Sequence, residues 1–263
     1  MQENKEILSI ALVQADLHWE NVTANLASFE EKLAALPEPV DVIVLPEMFN
    51  TGFTMSTALA EPMNFTTTRW MKQIAKQHNA LVVGSFAVNE VGSFFNRLLC
   101  VRPDGSYVHS DKRHLFTMGE ERKHYTAGKV RLTVEWRGWK LCPLVCYDLR
   151  FPVWSRNLHR DPYDILLYVA NWPTRRAHAW SALLQARAIE NQCYVVGVNR
   201  IGTDMNGLEY RGDSVALDYL GEPMAMLASQ ETEKIVHMSK TDLSVYRRSF
   251  PALPDADDFE IHC

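Results

Sequence analysis

The chain has 263 residues, of which 47% are hydrophobic and 22% are charged. This composition is ordinary for a globular protein and excludes extended disorder and collagen-like repeats. The 27 basic and 32 acidic side chains give a net charge of −5. Such mild acidity argues against nucleic acid or an anionic membrane as a partner, because both attract a concentrated positive surface.

The cysteines are few, scattered and odd in number: Cys100, Cys142, Cys146, Cys193 and Cys263. No Cys-x-x-Cys pair occurs, which excludes zinc-ribbon and thioredoxin-like sites. The first residues lack the pattern of a signal peptide, and no apolar run is long enough for a membrane span. These features together predict a cytoplasmic protein with free thiols and no membrane partner.

Strand-like and helix-like patterns alternate along the first half of the chain, without a repeat or a Gly/Ser linker. Short apolar runs predict strands, and apolar residues at spacings of three and four predict helices. Trp70, Ile74 and His78 follow such a helical spacing, with the threonines just before Trp70 available as N-caps. In chain order we expect a strand over 7–14, a helix over 22–36, a strand over 40–45, a helix over 66–78 and a strand over 80–88.

The second half continues the alternation and adds hairpins. We expect hairpins over 96–108 and 132–146, strands over 164–170, 193–198, 214–217 and 234–238, and one long helix over 174–191, capped by Thr174, with Trp180, Leu183, Leu184 and Ile189 on its buried side. The result is an α/β fold in which helices cover a sheet with some antiparallel pairing. No glycine-rich nucleotide motif is present, so we expect no nucleotide cofactor.

Three polar residues follow apolar strand patterns, where ligands of α/β sheets usually bind. They are Glu47, Lys112 and Cys146. Each has an ordinary structural explanation when taken singly: a solvated turn glutamate, a lysine on a charged face, and a small core thiol.

Together the motifs around these residues resemble the nitrilase superfamily of carbon–nitrogen hydrolases. They are L-P-E-M-F, D-K-R-H-L-F and L-V-C-Y-D-L-R-F-P, in that order, followed by N-W-P and Y-R-G-D-S. The Cys-Tyr-Asp sequence is similar to the amidase branches. The overall pattern most resembles the bacterial omega-amidases, which release ammonia from the terminal amide of 2-oxo acid amides such as 2-oxoglutaramate and 2-oxosuccinamate.

The resemblance implies a four-layer α-β-β-α sandwich in a single domain over residues 1–254, commonly a homodimer, followed here by an acidic tail over 255–263. It implies a Glu–Lys–Cys triad of Glu47, Lys112 and Cys146, without a cofactor or a metal. A second glutamate follows the lysine motif in this family. Glu120 and Glu121 both compete for that place, and the spacing to Gly128 favours Glu121.

Amide hydrolysis needs a nucleophile, a proton for the leaving nitrogen and donors for the oxyanion. A cysteine thiolate is a strong nucleophile, and a helix beginning at Cys146 would lower the pKa of this thiol. The backbone N–H of Tyr147 would then face the oxyanion, while Glu47 transfers protons and Lys112 stabilises charge. Glu121 would orient Lys112 or the substrate amide.

The substrate of such an enzyme carries a carboxylate at its far end, which arginine binds in a bidentate manner. Arg175 and Arg176 follow the N-W-P motif and are candidates for this contact. Phe53 and Trp172 are candidates for the pocket wall, together with the Tyr147 side chain.

Four other interpretations stay open from the sequence. One is a cysteine–histidine hydrolase that uses His114, although no signature of such a family is present. A second is a metal-dependent amidohydrolase, whose candidate ligands lack the usual spacing: His109, His114, His124 and His159. The third is a non-catalytic binding protein on the same fold. The fourth is another amidase of the superfamily, such as an N-carbamoyl hydrolase.

Overall fold

The structure is a computed structural model that describes residues 4–261. Two six-stranded sheets form its centre, and a small third sheet lies beside them. The strands are β1 (Ile7–Gln14), β2 (Val42–Val44), β3 (Leu81–Glu90), β4 (Ser93–Val101), β5 (Tyr107–Asp111), β6 (Val134–Trp136), β7 (Trp139–Val145), β8 (Ile165–Ala170), β9 (Tyr194–Asn199), β10 (Ile201–Thr203), β11 (Glu209–Arg211), β12 (Val215–Leu217), β13 (Pro223–Met226) and β14 (Thr232–Ser239).

The two large sheets have the same plan, with three parallel strands in the middle and antiparallel strands at the edges. The first sheet has the order β14-β1-β2-β3-β4-β5, and β1, β2 and β3 are parallel. The second has the order β13-β12-β9-β8-β7-β6, and β7, β8 and β9 are parallel. The carboxyl ends of the parallel strands therefore define one functional edge in each sheet.

Helices cover the outer faces of the sheets. The α-helices are α1 (Val22–Ala34), α2 (Thr66–His78), α3 (Glu121–His124), α4 (Pro152–Ser155), α5 (Ala177–Asn191) and α6 (Lys240–Ser249). Helices α1 and α2 pack on the first sheet, and α5 packs on the second. Gly197 permits this second contact, because a Cβ there would lie 2.7 Å from both Leu184 and Trp180 of α5.

The inner faces of the two sheets share one core. Successive side chains of β1 point to opposite faces, so Ile10 and Leu12 join the core between the sheets while Ala11 and Val13 face the first helical layer. The parallel strands are buried on both faces, which explains their continuous apolar sequences. The α/β class and the four-layer α-β-β-α arrangement expected from the sequence are confirmed.

Several local expectations are wrong. Neither Thr174 nor the threonines of α2 cap a helix with a side-chain hydrogen bond. The Thr67 hydroxyl does not cap the helix because it donates a hydrogen bond to Glu61. The long helix begins at Ala177 after a 3₁₀ turn, and Ile189 is 50% exposed rather than buried. The third sheet, β13 and α6 were not foreseen, because their sequences are short or polar.

The predicted boundary between residues 254 and 255 falls inside a 3₁₀ turn, Leu253–Asp255, whose Leu253 is buried. Beyond it, Asp258 lies 3.8 Å from Arg160. The end of the predicted tail, including Cys263, lies outside the described residues, so the division into domain and tail stays a prediction. None of the helices within residues 4–261 combines the length and apolar character that a membrane crossing requires.

Candidate active site

The fold brings Glu47, Lys112 and Cys146 together at the strand ends. Glu47 follows β2 by three residues, Lys112 directly follows β5, and Cys146 directly follows β7. Lys112 Nζ lies 2.8 Å from Glu47 Oε1, and the Cys146 thiol interacts with the Glu47 carboxylate. Two sheets thus contribute to one cluster, because Glu47 and Lys112 belong to the first and Cys146 to the second.

Each oxygen of the Glu47 carboxylate accepts hydrogen bonds from the protein. Oε1 accepts from Lys112 and from Asn96 Nδ2, the latter at 2.9 Å. Oε2 accepts from the backbone N–H of Asn171 at 2.9 Å, while the Asn171 side chain donates to the Glu47 carbonyl. These contacts hold the carboxylate in one orientation toward Cys146.

Glu121 is the second glutamate of the cluster. Its two oxygens lie 3.1 and 2.9 Å from Lys112 Nζ, and Asn96 Nδ2 reaches it at 3.3 Å. The backbone N–H of Phe116 donates to Glu121 at 2.6 Å. Glu120 instead has a 61% exposed side chain and pairs with a surface lysine. The geometry therefore places Glu121, and not Glu120, beside the lysine.

Burial controls the electrostatics of this cluster. Cys146 is 8% exposed, and Glu47, Lys112 and Glu121 are buried almost completely. Burial alone would lower the pKa of Lys112, but Glu121 and Glu47 raise it, so the ammonium is retained. Burial and then Glu47 raise the pKa of Glu121 against the opposing effect of Lys112. The Lys112 ammonium therefore stays charged between two buried carboxyl groups.

The expectation that a helix lowers the pKa of Cys146 is wrong for this resting site. Burial, followed by the charge of Glu47, raises the pKa of the thiol well above its usual value, although Lys112 opposes them. The helix that begins at Cys146 is a five-residue 3₁₀ helix, Cys146–Arg150. Too few peptide dipoles are aligned there to outweigh burial. A neighbouring base would be needed to ionise this thiol, and the Glu47 carboxylate interacts with it.

A strained turn presents the thiol. Cys146 has φ 44°, in the left-handed region that side chains other than glycine rarely adopt. Asp148 fixes this turn, since one carboxylate oxygen accepts from the Val145 backbone N–H at 3.1 Å and the other from the His114 backbone N–H at 2.9 Å. His114 and Lys112 lie on one segment, so Asp148 ties the lysine segment to the cysteine turn.

The His114 ring contacts Asp148 and Phe151 and does not line the cavity. Its Nδ1 lies 2.8 Å from Asp148 Oδ1, and the ring stacks on Phe151 with centroids 3.7 Å apart.

For the metal-dependent alternative, no group of three or more His, Cys, Asp or Glu side chains that could hold a metal ion is found within residues 4–261.

A cavity of about 500 Å³ opens onto the cluster. This size suits a small-molecule ligand. The cavity reaches Glu47, Lys112, Cys146 and Tyr147, whereas Glu121 lies behind Lys112 and outside the lining. All five side chains predicted for substrate binding line it: Phe53, Tyr147, Trp172, Arg175 and Arg176.

Comparison with known proteins identifies the family of this chain. The model of the carbon-nitrogen hydrolase family matches residues 9–248. The chain belongs to the carbon–nitrogen hydrolase family. It is 49% identical to omega-amidase YafV of Escherichia coli over 255 residues, covering 97% of this chain and 98% of that protein. It is 30% identical to the 2-oxoglutaramate amidase of Bacillus subtilis, covering 94% and 96% of the two chains.

Among solved structures, the chain is similar to XC1258 from Xanthomonas campestris, a CN-hydrolase superfamily protein with an arsenic adduct in its active site. The TM-score is 0.96 at 42% identity, covering 98% of this chain and 100% of that chain. The similarity extends over the whole four-layer fold and is not confined to the residues around the cysteine.

Sequence reasoning missed three residues that organise the site of this carbon–nitrogen hydrolase. Asn96 bridges the two glutamates from the middle of β4, Asn171 holds Glu47 from the end of β8, and Asp148 holds the cysteine turn. Asn171 and Asp148 lie inside recognised motifs, so their position was a usable signal. Asn96 had none, because only the packing of β4 beside β3 brings it to the glutamates.

Aromatic rings and arginines form the outer wall of the carbon–nitrogen hydrolase cavity. Lys112 Nζ lies 4.9 Å from the Phe53 ring centroid. The Arg150 guanidinium lies 4.8 Å from the Trp172 ring, and that of Arg176 lies 5.2 Å from the ring of Phe116. The aromatic faces help to position these cations on the wall.

Proposed function

We propose that this chain hydrolyses the terminal amide of small 2-oxo dicarboxylic acid monoamides, such as 2-oxoglutaramate and 2-oxosuccinamate, to the 2-oxo acid and ammonia. The observation that carries the proposal is the buried cluster of Glu47, Lys112 and Cys146 at the bottom of a cavity with arginines on its wall. The full-length similarity to omega-amidase YafV and to a 2-oxoglutaramate amidase supports this substrate class.

In the first half of the proposed reaction, Glu47 accepts the thiol proton while Cys146 Sγ attacks the amide carbon. Burial, followed by Glu47, raises the pKa of the thiol, so the proposal places this proton transfer in the same step as the attack. Lys112 and the backbone N–H of Tyr147 stabilise the oxyanion. As the second residue of a 3₁₀ helix, Tyr147 has an N–H with no partner within that helix. Glu47 then protonates the nitrogen, and the C–N bond breaks to give ammonia and a thioester.

In the second half, water replaces ammonia in the cavity. Glu47 accepts a proton from the water while the water oxygen attacks the thioester carbon. The C–S bond then breaks. The sulfur recovers the proton from Glu47, so the thiol is regenerated and one water is consumed for each amide. Glu121 keeps Lys112 in place throughout, since it touches the lysine and not the cavity.

Substrate assays with a nucleophile variant test this function. Wild-type protein should release ammonia from 2-oxoglutaramate and 2-oxosuccinamate faster than from glutamine, N-carbamoyl amino acids or simple nitriles. Cys146→Ala should abolish release while retaining the folded circular dichroism spectrum. Cys193→Ala provides a matched control, because that thiol is also buried but does not line the cavity. Activity in Cys146→Ala, or turnover of nitriles alone, would rule the proposal out.

We further propose that the protein acts in the cytoplasm and forms a homodimer. Its proposed binding partner is a small-molecule amide substrate. The four described cysteines are buried free thiols, as a reducing compartment favours. Cell fractionation tests the compartment, and light scattering on the purified protein tests the dimer.

A further inference from the structure

A buried ion pair joins the two strands that carry Asn96 and lead to Lys112. Its members are Arg97 of β4 and Asp111 of β5, which lie opposite each other in the register of these strands. Arg97 Nε donates to one carboxylate oxygen of Asp111 at 2.7 Å, and Nη2 donates to the other at 3.0 Å. The two side chains are only 2% and 16% exposed. This bidentate contact therefore fixes both the distance and the orientation of the two side chains.

The ion pair and the catalytic cluster lie on opposite faces of the first sheet. Leu99 of β4 packs on the helical side of this sheet, and Arg97, two residues before it, shares that face. Asn96 therefore points to the inner face, where it donates to both glutamates. Asp111 and Lys112 alternate in the same way, because the first contacts Arg97 and the second contacts the glutamates. Each member of the ion pair is thus the direct chain neighbour of a cluster residue.

The backbone connects the ion pair to the lysine. The Lys112 N–H donates to the Asn96 carbonyl at 2.9 Å, and the Lys112 carbonyl accepts from Gly128 N–H at 2.9 Å. Gly128 also packs closely on Asp111, since a Cβ there would lie 2.0 Å from the Asp111 carbonyl oxygen. Strand β5 is an edge strand of its sheet, and an edge strand has a paired neighbour on one side only. The ion pair therefore holds the end of β5 against β4 at the residue before the lysine.

The Arg97 guanidinium is held in place by further contacts. Glu90 accepts from Nη1 at 3.2 Å and from Nη2 at 3.0 Å, and the Phe95 ring centroid lies 5.0 Å from the guanidinium carbon. Burying an ion pair adds little net stability, because the desolvation of both charges offsets their attraction. The geometry of the pair is nevertheless strongly directional. Its position beside the cluster therefore favours a role in orienting the strands over a role in stability alone.

We propose that the Arg97–Asp111 ion pair positions Lys112 and Asn96 for catalysis from the face of the sheet opposite the cavity. Neither member of the pair lines the cavity, so both are positioning residues. The kinetic part of this inference rests on the proposed amidase function, to which it adds two residues. Without the pair, the end of β5 would be free to move relative to β4. A displacement of about 1 Å at a catalytic group can lower the rate about 100-fold.

The first test measures the thiol and does not depend on turnover. Burial and Glu47 raise the pKa of the Cys146 thiol, and Lys112 opposes them. A displaced lysine should therefore shift the pH dependence of iodoacetamide alkylation of Cys146 to higher pH, with mass spectrometry identifying the modified cysteine. We expect this shift in Arg97→Met and in Asp111→Asn. An unchanged alkylation profile in the folded variants of both residues would overturn the inference.

The second test uses steady-state kinetics with 2-oxoglutaramate. In Arg97→Met and in Asp111→Asn, kcat should fall about 10- to 100-fold at nearly constant KM, because the catalytic lysine is displaced while the cavity wall is unchanged. The double variant should lose no more than the larger of the two single losses, since both changes remove the same ion pair. Losses that multiply in the double variant would contradict a shared role.

Asp41→Asn is the matched control for a general loss of stability. Asp41 is also a buried, ion-paired carboxylate, but it precedes β2 at the end away from Glu47. This variant should lower the Tm without changing kcat or the alkylation profile. If Arg97→Met does not fold, Arg97→Lys retains the charge without the planar fork and should give an intermediate shift. A shifted alkylation profile in a protein that hydrolyses no amide would reject the proposed function and support the positioning of Lys112.

Discussion

At the Glu47 end of the cavity every charge has protein partners, whereas the arginine end leaves its guanidiniums without acidic partners among the described residues. Lys112 is shared by two glutamates, and both glutamates also accept from Asn96. Arg150 rests on an aromatic face and not on a carboxylate. The difference fits the two tasks of the proposed reaction: a preorganised cluster would perform the chemistry, and cations without acidic partners would bind an anionic ligand.

The largest expected effect comes from removing the shared cation. Lys112→Met leaves two buried carboxylates unpaired, which should abolish turnover and lower the free energy of unfolding by about 3–5 kcal/mol. Burial, and then Glu47, raises the pKa of the Glu121 carboxyl, so protonation of Glu121 at lower pH should make the loss measured by urea unfolding smaller at pH 5.5 than at pH 7.5. Lys129→Met, at an exposed position, is the control. A variant as stable as the wild type at pH 7.5 would show that the cluster is not electrostatically coupled.

Glu47→Gln removes the carboxylate of the proposed general base and leaves the other residues of the cluster unchanged. We expect kcat to fall about 10²- to 10⁴-fold, as for loss of a general acid–base group. Since the charge of Glu47 raises the pKa of Cys146, its removal should shift the pH dependence of iodoacetamide alkylation of Cys146 to lower pH. Glu121→Gln should shift it less, because Glu121 touches Lys112 rather than the thiol. A shift to higher pH in Glu47→Gln would contradict the assigned contact.

Asp148→Asn tests whether the strained cysteine turn is held in place from outside. An amide has one accepting oxygen, so it cannot accept from both the Val145 and the His114 backbone N–H groups as the carboxylate does. The free energy of unfolding should fall by about 1–3 kcal/mol, which would be measured as a lower Tm. We also expect kcat to fall at nearly constant KM. A change confined to KM would show that Asp148 serves the binding end instead.

The smallest effect is expected for the histidine. His114→Ala removes one side-chain hydrogen bond to Asp148 and the stacking on Phe151, so kcat should fall less than about tenfold. Steady-state kinetics measure this directly. A loss as large as that in Glu47→Gln would revive the cysteine–histidine mechanism that the sequence left open.

The local patterns were most informative where burial dictates composition. The apolar run over 7–14 coincides with β1, and the motif residues Glu47, Lys112 and Cys146 are placed at strand ends as expected. Predictions of the hydrogen bonds that single side chains form, such as helix caps, were less accurate. Thr174 and Thr67 were both available as caps, but tertiary partners and a 3₁₀ turn decided otherwise. The hydrogen bonds of single polar groups depend on tertiary packing, which cannot be deduced from the periodicity of the sequence.

The amino-acid sequence by itself determined the alternation of elements, the absence of nucleotide motifs and the order of the three motifs that carry the cluster. Tertiary structure decided which glutamate meets the lysine, that Asn96 bridges both carboxylates, and that the thiol pKa is raised. It also brought Arg150 to the cavity wall. These features arise where two sheets and their loops converge, so they depend on distances between residues that are far apart in the chain and on burial of charge that no linear pattern records.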